Sequence, residues 1–195
     1  MAHVPAQERR KQFVEAASRV ISEKGVSGAT TRAIAQEAGA ALASLHYVFN
    51  SKEDLLVELV RWAADFNQNV IAETPLPAGS GVATAARTIL LMWRSVERPL
   101  VFSQFDILLW SMRTELTKNE SVLLYERMVE QFGNLLEHAA TPKERKSLDF
   151  KRLAVRLIVI CDGVQFGTLC AGPDYISDAE VVDMFDSVIK TAVKT

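Results

Sequence analysis

The chain is poor in the residues that build disulfide or metal-bound scaffolds. Its 195 residues include two cysteines, six prolines and three histidines. Cys161 and Cys170 lie nine residues apart in a helical pattern. At about 100° and 1.5 Å per residue they point to opposite faces roughly 13 Å apart, so they cannot bridge each other. This predicts a reduced, cytoplasmic protein, and three scattered histidines argue against a metal site.

Membrane, fibrous and catalytic signatures are lacking as well. The start, MAHVPAQERRKQF, has no apolar targeting region, and no run approaches the length of a membrane span. With 49% hydrophobic residues, the chain is neither disordered nor fibrous and can bury a core in one domain or two small ones. It shows no metal spacing, no Ser/His/Asp set and no phosphate-cradling loop. The sequence predicts no enzyme and no cofactor.

The charge is unevenly distributed along the chain. The net charge of −2 argues against a generally basic nucleic-acid coat. Residues 1–52, however, hold seven Lys/Arg and four Glu, which is +3 and leaves −5 for the remainder. A basic head on an acidic body suggests that only the head meets a polyanion.

The apolar periodicity predicts an all-α fold of about nine helices. Four lie in the first part of the chain. They run from Gln7 to Lys24, from a Thr30/Thr31 N-cap to Gly39, briefly through Leu45 to Phe49, and from about 51 to 73 behind Ser51. Beyond a linker at Thr74–Gly81, five more are predicted: Val82–Val96, Leu100–Leu116, Glu120–Ala139, Pro142–Cys170 and Asp178–Val193. Capping boxes are expected at Thr141/Glu144 and Ser177/Glu180.

One stretch, TTRAIAQEAGAALASLHYVFNSKEDLL (Thr30–Leu56), predicts a helix-turn-helix. Two helices of about two turns meet at Gly39, and the second helix of such a pair enters the major groove of DNA. With Leu45 facing inward, Ala43, His46 and Tyr47 point outward and Leu42 lies at the border. Small or hydrogen-bonding outward residues suit contact with base edges.

This stretch resembles the N-terminal signature of TetR/AcrR-type transcriptional regulators. The resemblance covers Arg9 to about Leu59; the rest of the chain is similar only in helix count, length and the CDGVQ stretch. It implies a three-helix DNA-binding head (residues 1–52) and a C-terminal domain (residues 53–195) that binds a small molecule and dimerises. The helix from about 51 to 73 would connect the two.

The same resemblance implies roles for individual head residues. Arg32 would read a base, whereas Thr31, Ser44, Tyr47 and Lys52 would grip phosphates. The full predicted DNA surface is Thr31, Arg32, Ala41, Leu42, Ala43, Ser44, His46, Tyr47 and Lys52. Leu42 stands where the family often has a polar reader, and either touches a thymine methyl or packs inward. His46 stands where Tyr is common, and is a phosphate contact or a solvated side chain. Arg9 and Arg10 are a solvated charge run or lie along the DNA backbone.

Polar residues inside apolar runs point to an effector pocket in the C-terminal half. Gln104, Asp106, Asp162 and Gln165 interrupt such runs, and buried polar groups need partners. An apolar cavity with a few convergent polar groups would use them; neighbouring helices would equally satisfy them, with the aromatic residues serving as core. The predicted pocket is Trp93, Phe102, Phe105, Asp106, Trp110, Tyr125, Met128, Cys161 and Gln165, for an apolar or aromatic effector.

The last two predicted helices carry more apolar surface than one packed face requires. A two-fold four-helix contact would bury the excess, through Leu153, Leu157, Val164, Val181, Phe185, Val188 and Ile189. The alternative is that both helices are used up within the monomer.

The sequence thus predicts a homodimeric repressor that a small effector releases from a palindromic DNA operator, with no membrane partner. An activator of the same family, or a helical protein that binds a protein partner and no DNA, are the alternatives.

Overall fold

The fold is all-α, as predicted. The computed structural model describes the backbone of residues 5–72, 76–96, 98–115 and 117–192, and the side chains of these residues except 63–72, 118 and 120. The helices are α1 (Ala6–Gly28), α2 (Thr31–Glu37), α3 (Leu42–Val48), α4 (Lys52–Ala72), α5 (Val82–Arg94), α6 (Arg98–Arg113), α7 (Lys118–Ala139), α8 (Pro142–Ser147), α9 (Phe150–Ala171) and α10 (Asp178–Thr191). A 3₁₀ turn, Pro173–Tyr175, separates the last two.

The predicted helix Pro142–Cys170 is in fact two helices. Leu148 is extended (φ −104°, ψ 141°) and ends α8, and the Asp149 side chain then accepts the Arg152 N–H at 2.9 Å as the N-cap of α9. The predicted capping boxes at Thr141/Glu144 and Ser177/Glu180 are both present. The signal that the sequence prediction missed was Asp149 itself, because Asp is a preferred N-cap residue.

The chain forms two compact units that do not follow a single cut in the sequence. The first unit comprises Met1–Phe66 and Glu97–Leu124, and the second comprises Asn67–Val96 and Tyr125–Thr195. Helix α6 therefore belongs with the N-terminal helices. The functional division at residues 52/53 stays a prediction. The sequence pattern also predicts that Phe66 and Val70 of α4 face inward, and their side chains lie outside the described ones.

The first unit has its own hydrophobic core. Phe13 of α1, Leu45 of α3 and Phe49 are essentially inaccessible, and the rings of Phe13 and Phe49 meet edge to face at 6.5 Å. Ile107 of α6 is buried in the same cluster, and Trp110 packs against it. This core fixes the short helices α2 and α3, which are too short to be stable alone.

The core of the second unit uses most of the residues predicted to form the dimer contact. Leu153, Leu157, Val164, Val181 and Phe185 are all buried in it, and Val188 and Ile189 pack partly buried against it. These five side chains are 0–6% exposed and pack within the chain, as the stated alternative has it, so they offer little surface to a partner subunit. The subunit contact itself stays a prediction.

The exposed apolar residues of α9 and α10 lie elsewhere. Val159 and Phe166 are 58% and 57% exposed, and Met184 of α10 is 45% exposed. At about 100° per residue, Val159, Gly163, Phe166 and Cys170 fall within roughly 60° of one another and form one stripe along α9. We call these four residues the α9 stripe.

Helix α9 also corrects the expectation about membrane-length segments. It is long and apolar enough, by length and composition alone, to cross a membrane. Its buried side, which includes Leu153, Leu157 and Cys161, lines the second unit's core. High apolarity on more than one side is what a core helix of a helical protein shows.

Candidate nucleic-acid interface

The corner between α2 and α3 is built by local capping and one glycine. The Thr30 hydroxyl accepts the Ala33 N–H at 3.1 Å and starts α2, as predicted. Gly39 adopts φ +59°, a left-handed conformation that costs glycine little, and the following Ala40 N–H returns to the Ala35 carbonyl at 2.9 Å. This turn places α3 so that the side opposite Leu45 is exposed to solvent.

The outer face of α3 carries the residues expected there. Leu45 is fully buried, whereas Tyr47 is 85% exposed and Ala43 and His46 are exposed. Leu42 is 37% exposed, so its side chain is not packed inward and stays available to a base. Ala41 is exposed as well, and Thr31 and Ser44 are half-buried beside this face.

Arg32 and Tyr47 are polar side chains exposed to solvent. Arg32 lies in the first turn of α2. Within the described part of the chain, neither side chain has a hydrogen-bond or ion-pair partner. By contrast, Arg19 of α1 is held by Glu37 at 2.6 Å. Arg32 and Tyr47 therefore keep their full donor capacity for an external acceptor such as a phosphate or a base edge.

Arg10 has a structural role that sequence reasoning missed. Its guanidinium donates to the Val48 carbonyl at 2.8 Å, lies 4.5 Å from the centre of the Phe49 ring and pairs with Glu58 at 3.7 Å. It is neither a solvated charge nor a free arm for DNA, because it ties α1 to the end of α3. Arg9 donates to Gln12 at 3.0 Å.

The peptide groups of Val26 join three helices of the first unit. Lys52 Nζ, at the start of α4, donates to the Val26 carbonyl at 2.7 Å, and the Asp106 carboxylate of α6 accepts the Val26 N–H at 2.6 Å. Gly25, just before, breaks α1 with φ 69° and ψ 169°. We call Asp106, Val26 and Lys52 the Val26 clamp.

The Val26 clamp gives Asp106 a structural partner. A neighbouring element of its own unit satisfies this carboxylate, as the stated alternative has it, and its pocket role stays a prediction. Lys52 has one of its three donors occupied, which leaves two for a phosphate.

The other predicted pocket residues are divided between the two units. Phe102, Phe105 and Trp110 belong to the first unit; Phe102 is 45% exposed beside the Arg98 guanidinium, and Trp110 packs on the core. The members in the second unit are Trp93, Tyr125, Met128, Cys161 and Gln165. Neither unit by itself brings the predicted set together.

In the second unit, two of the polar residues have partners on neighbouring helices. The Gln165 amide donates to the Trp93 carbonyl at 3.5 Å, and the Tyr125 hydroxyl donates to Asp162 Oδ2 at 3.4 Å. The ring of Trp93 lies 5.6 Å from that of Phe132. Burial raises the pKa of the Cys161 thiol far above its ordinary value, so this side chain behaves as an inert core residue.

Comparison with known proteins identifies the first unit's motif. Residues 13–59 match the family described as bacterial regulatory proteins, tetR family. The matched segment contains α2, α3 and the Val26–Lys52 half of the clamp.

Relatives extend this match over most of the chain. The nicotine-responsive transcriptional repressor HdnoR of Paenarthrobacter nicotinovorans is 31% identical over 161 residues, covering 80% of this chain and 81% of that protein. The multidrug binding protein EbrR in complex with ethidium is 26% identical with a TM-score of 0.68, over 95% of this chain and 99% of its own. A transcriptional regulator of Saccharomonospora viridis in complex with choline shares the fold at 21% identity and a TM-score of 0.72, over 96% of this chain and 98% of its own. The chain therefore belongs to the tetR family, whose members are DNA-binding transcriptional regulators.

Proposed function

We propose that the protein is a homodimeric repressor that binds an inverted-repeat operator and leaves it when a small molecule binds. The observation that carries the proposal is the outer face of α2 and α3. There Arg32 and Tyr47 are exposed beside small side chains and have no hydrogen-bond or ion-pair partner among the residues that the structure describes. A buried or ion-paired arginine would indicate a structural role, whereas an exposed arginine at a helix-turn-helix indicates a DNA contact. The protein acts in the bacterial cytoplasm, where its operator lies.

Release by a small organic effector is supported by the relatives. One is nicotine-responsive, and two are bound to ethidium and to choline. These compounds share a basic or quaternary nitrogen, and two of them are aromatic. An effector with an apolar or aromatic body remains the proposal for this chain.

DNA binding is tested by its salt dependence and its need for two half-sites. A regulator that neutralises phosphates loses affinity steeply as salt rises, whereas a helical protein that binds only proteins shows little affinity for duplex at any salt. An operator selected from random duplex is expected to contain an inverted repeat, because two-fold related heads match two-fold related half-sites. Equal affinity for an isolated half-site would count against the dimeric mode.

Arg32→Ala is expected to cost about 1–3 kcal/mol of operator binding per half-site and to relax specificity at one base position. The reason is that Arg32 makes no hydrogen bond or ion pair with the described residues, so the change mainly removes a base or phosphate contact. Fluorescence anisotropy with operator variants measures it, and Lys11→Ala on the exposed part of α1 is the matched control. Unchanged affinity and specificity would show that Arg32 stays in solvent.

Lys52→Ala is expected to weaken binding to all sequences and to flatten the slope of log K against log salt by about one unit. This follows because the clamp leaves two of its donors for a phosphate. If the affinity falls while the slope stays unchanged, Lys52 acts only through the Val26 carbonyl and its phosphate role is wrong.

A further inference from the structure

One half-buried carboxylate of the second unit, that of Asp162, has no counter-charge among the described residues. Asp162 is half-buried on α9 between Cys161, which is buried in the core, and the exposed Gly163. Among the described residues its only hydrogen bond comes from the Tyr125 hydroxyl, at a long 3.4 Å, and it has no ion-pair partner there. A carboxylate offers about four acceptor positions, so most of its capacity is unused.

This placement is unfavourable for the folded protein alone. Burial raises the pKa of Asp162 to about 6 from its ordinary 3.8, and the Tyr125 hydrogen bond offsets only part of the rise. Because the folded-state pKa lies above the ordinary one, folding favours the protonated acid, and that stability is lost as the pH rises through about 6. At neutral pH the ionised carboxylate is therefore without enough hydrogen bonds or positive charge to offset its burial.

Asp162 lies beside one aromatic residue of a neighbouring helix, Tyr125 of α7. Tyr125 lies one and two turns before the buried Val129 and Phe132, and the Trp93 ring of α5 packs against Phe132. Gln165, one turn after Asp162, reaches the Trp93 carbonyl. Helices α7 and α9 thus bring a carboxylate and a phenol together, and α5 packs beside both helices through Trp93.

This side of α9 is distinct from the α9 stripe. At about 100° per residue, Asp162 lies roughly 70° from the middle of the stripe, and Gln165 lies further round toward the core face. Asp162 is half-buried and its partner Tyr125 is 37% exposed, so the pair lies at the edge of the core and not inside it.

We propose that Asp162, with the Tyr125 hydroxyl beside it, is the anionic subsite for the charged nitrogen of a cationic effector, a protonated amine or a quaternary ammonium compound. The inference rests on the proposed ligand-responsive regulator and names the class of its ligand. An ammonium group supplies a counter-charge that no described residue provides, and the ring of Tyr125 beside the carboxylate offers cation–π contact. Neutral apolar compounds of the same shape gain neither interaction.

The test compares a cation with its neutral isostere on the full-length protein. Calorimetry at pH 8 with choline and with 3,3-dimethyl-1-butanol is expected to show choline binding wild type at least about tenfold more tightly. Asp162→Asn should abolish that preference while leaving the alcohol unaffected, and Asp183→Asn, at an exposed carboxylate of α10, should leave the preference intact. Ethidium fluorescence repeats the comparison with a larger, aromatic cation.

The remaining outcomes separate this inference from the proposed function. Asp162→Asn should melt no lower than wild type, because it removes an unfavourable charge. Failure of both choline and ethidium to bind wild type, or a preference that persists in Asp162→Asn, would overturn the cation subsite. A monomeric Asp162→Asn would also overturn it, by assigning the carboxylate to the subunit contact. If operator binding persists in each of these cases, the proposed regulatory function is retained and only the cation subsite is rejected. A wild-type protein that binds no DNA would instead contradict the proposed function itself.

Discussion

A Phe166→Glu protein is expected to be monomeric and to bind its operator about 10²–10⁴-fold more weakly than wild type, since the second head loses its effective concentration. Phe166 is the largest side chain of the α9 stripe and is 57% exposed. In a two-fold contact each residue of the stripe meets the partner's stripe, so the change places two carboxylates close together in an apolar contact. The two half-sites would then be bound independently.

Two matched variants show whether the α9 stripe, and not apolar surface in general, is responsible. Met112→Glu, at a 57% exposed position of the first unit, should remain dimeric. Phe185→Ala, at 1% exposure in the second unit's core, should instead lower the free energy of unfolding by about 3–5 kcal/mol. Light scattering, melting curves and operator anisotropy are measured on all three. A dimeric Phe166→Glu with wild-type affinity would move the subunit contact elsewhere.

Asp106→Ala is expected to destabilise the first unit by about 1.5–3 kcal/mol and to weaken operator binding with it. The change removes a 2.6 Å charged hydrogen bond and leaves the Val26 N–H without its acceptor. Val26 lies only a few residues before Thr30 and Arg32, so loosening the clamp frees the corner that positions α2. The buried pair of Ser18 and Ser103, 3.5 Å apart, is a second polar contact between α1 and α6.

Asp106→Asn and Gly25→Ala sharpen this prediction. Asparagine keeps a carbonyl oxygen for the Val26 N–H and should retain most of the stability. Alanine at residue 25 is expected to cost about 1–3 kcal/mol, because φ 69° with ψ 169° suits glycine and its Cβ would lie 3.1 Å from Asp106 Oδ2. Melting temperature, operator affinity and effector release are measured together. An Asp106→Ala protein with wild-type melting and DNA binding but no effector response would restore the pocket role predicted from the sequence.

The sequence by itself determined the features that a few adjacent residues encode. Helix positions follow from apolar periodicity, and their starts follow from caps such as Thr30, Thr141 and Ser177, whose partners lie three residues away. The outward residues of α3 follow from the position of Leu45 on a seven-residue helix. The motif was specific enough to indicate the family, because its spacing is local.

Only the tertiary structure decided what depends on distant partners. Asp106, Arg10 and Lys52 are 80, 38 and 26 residues from the groups they bind, so no local pattern indicates that these charges hold the first unit together. Helix α9 is apolar on several sides, and its sequence cannot say which side faces the core. Packing against neighbouring helices buried Leu153 and Leu157 and left Val159 and Phe166 in solvent. The side of a helix that meets its neighbours is a property of the assembled core, which is why the residues predicted for a subunit contact were found packed within the chain.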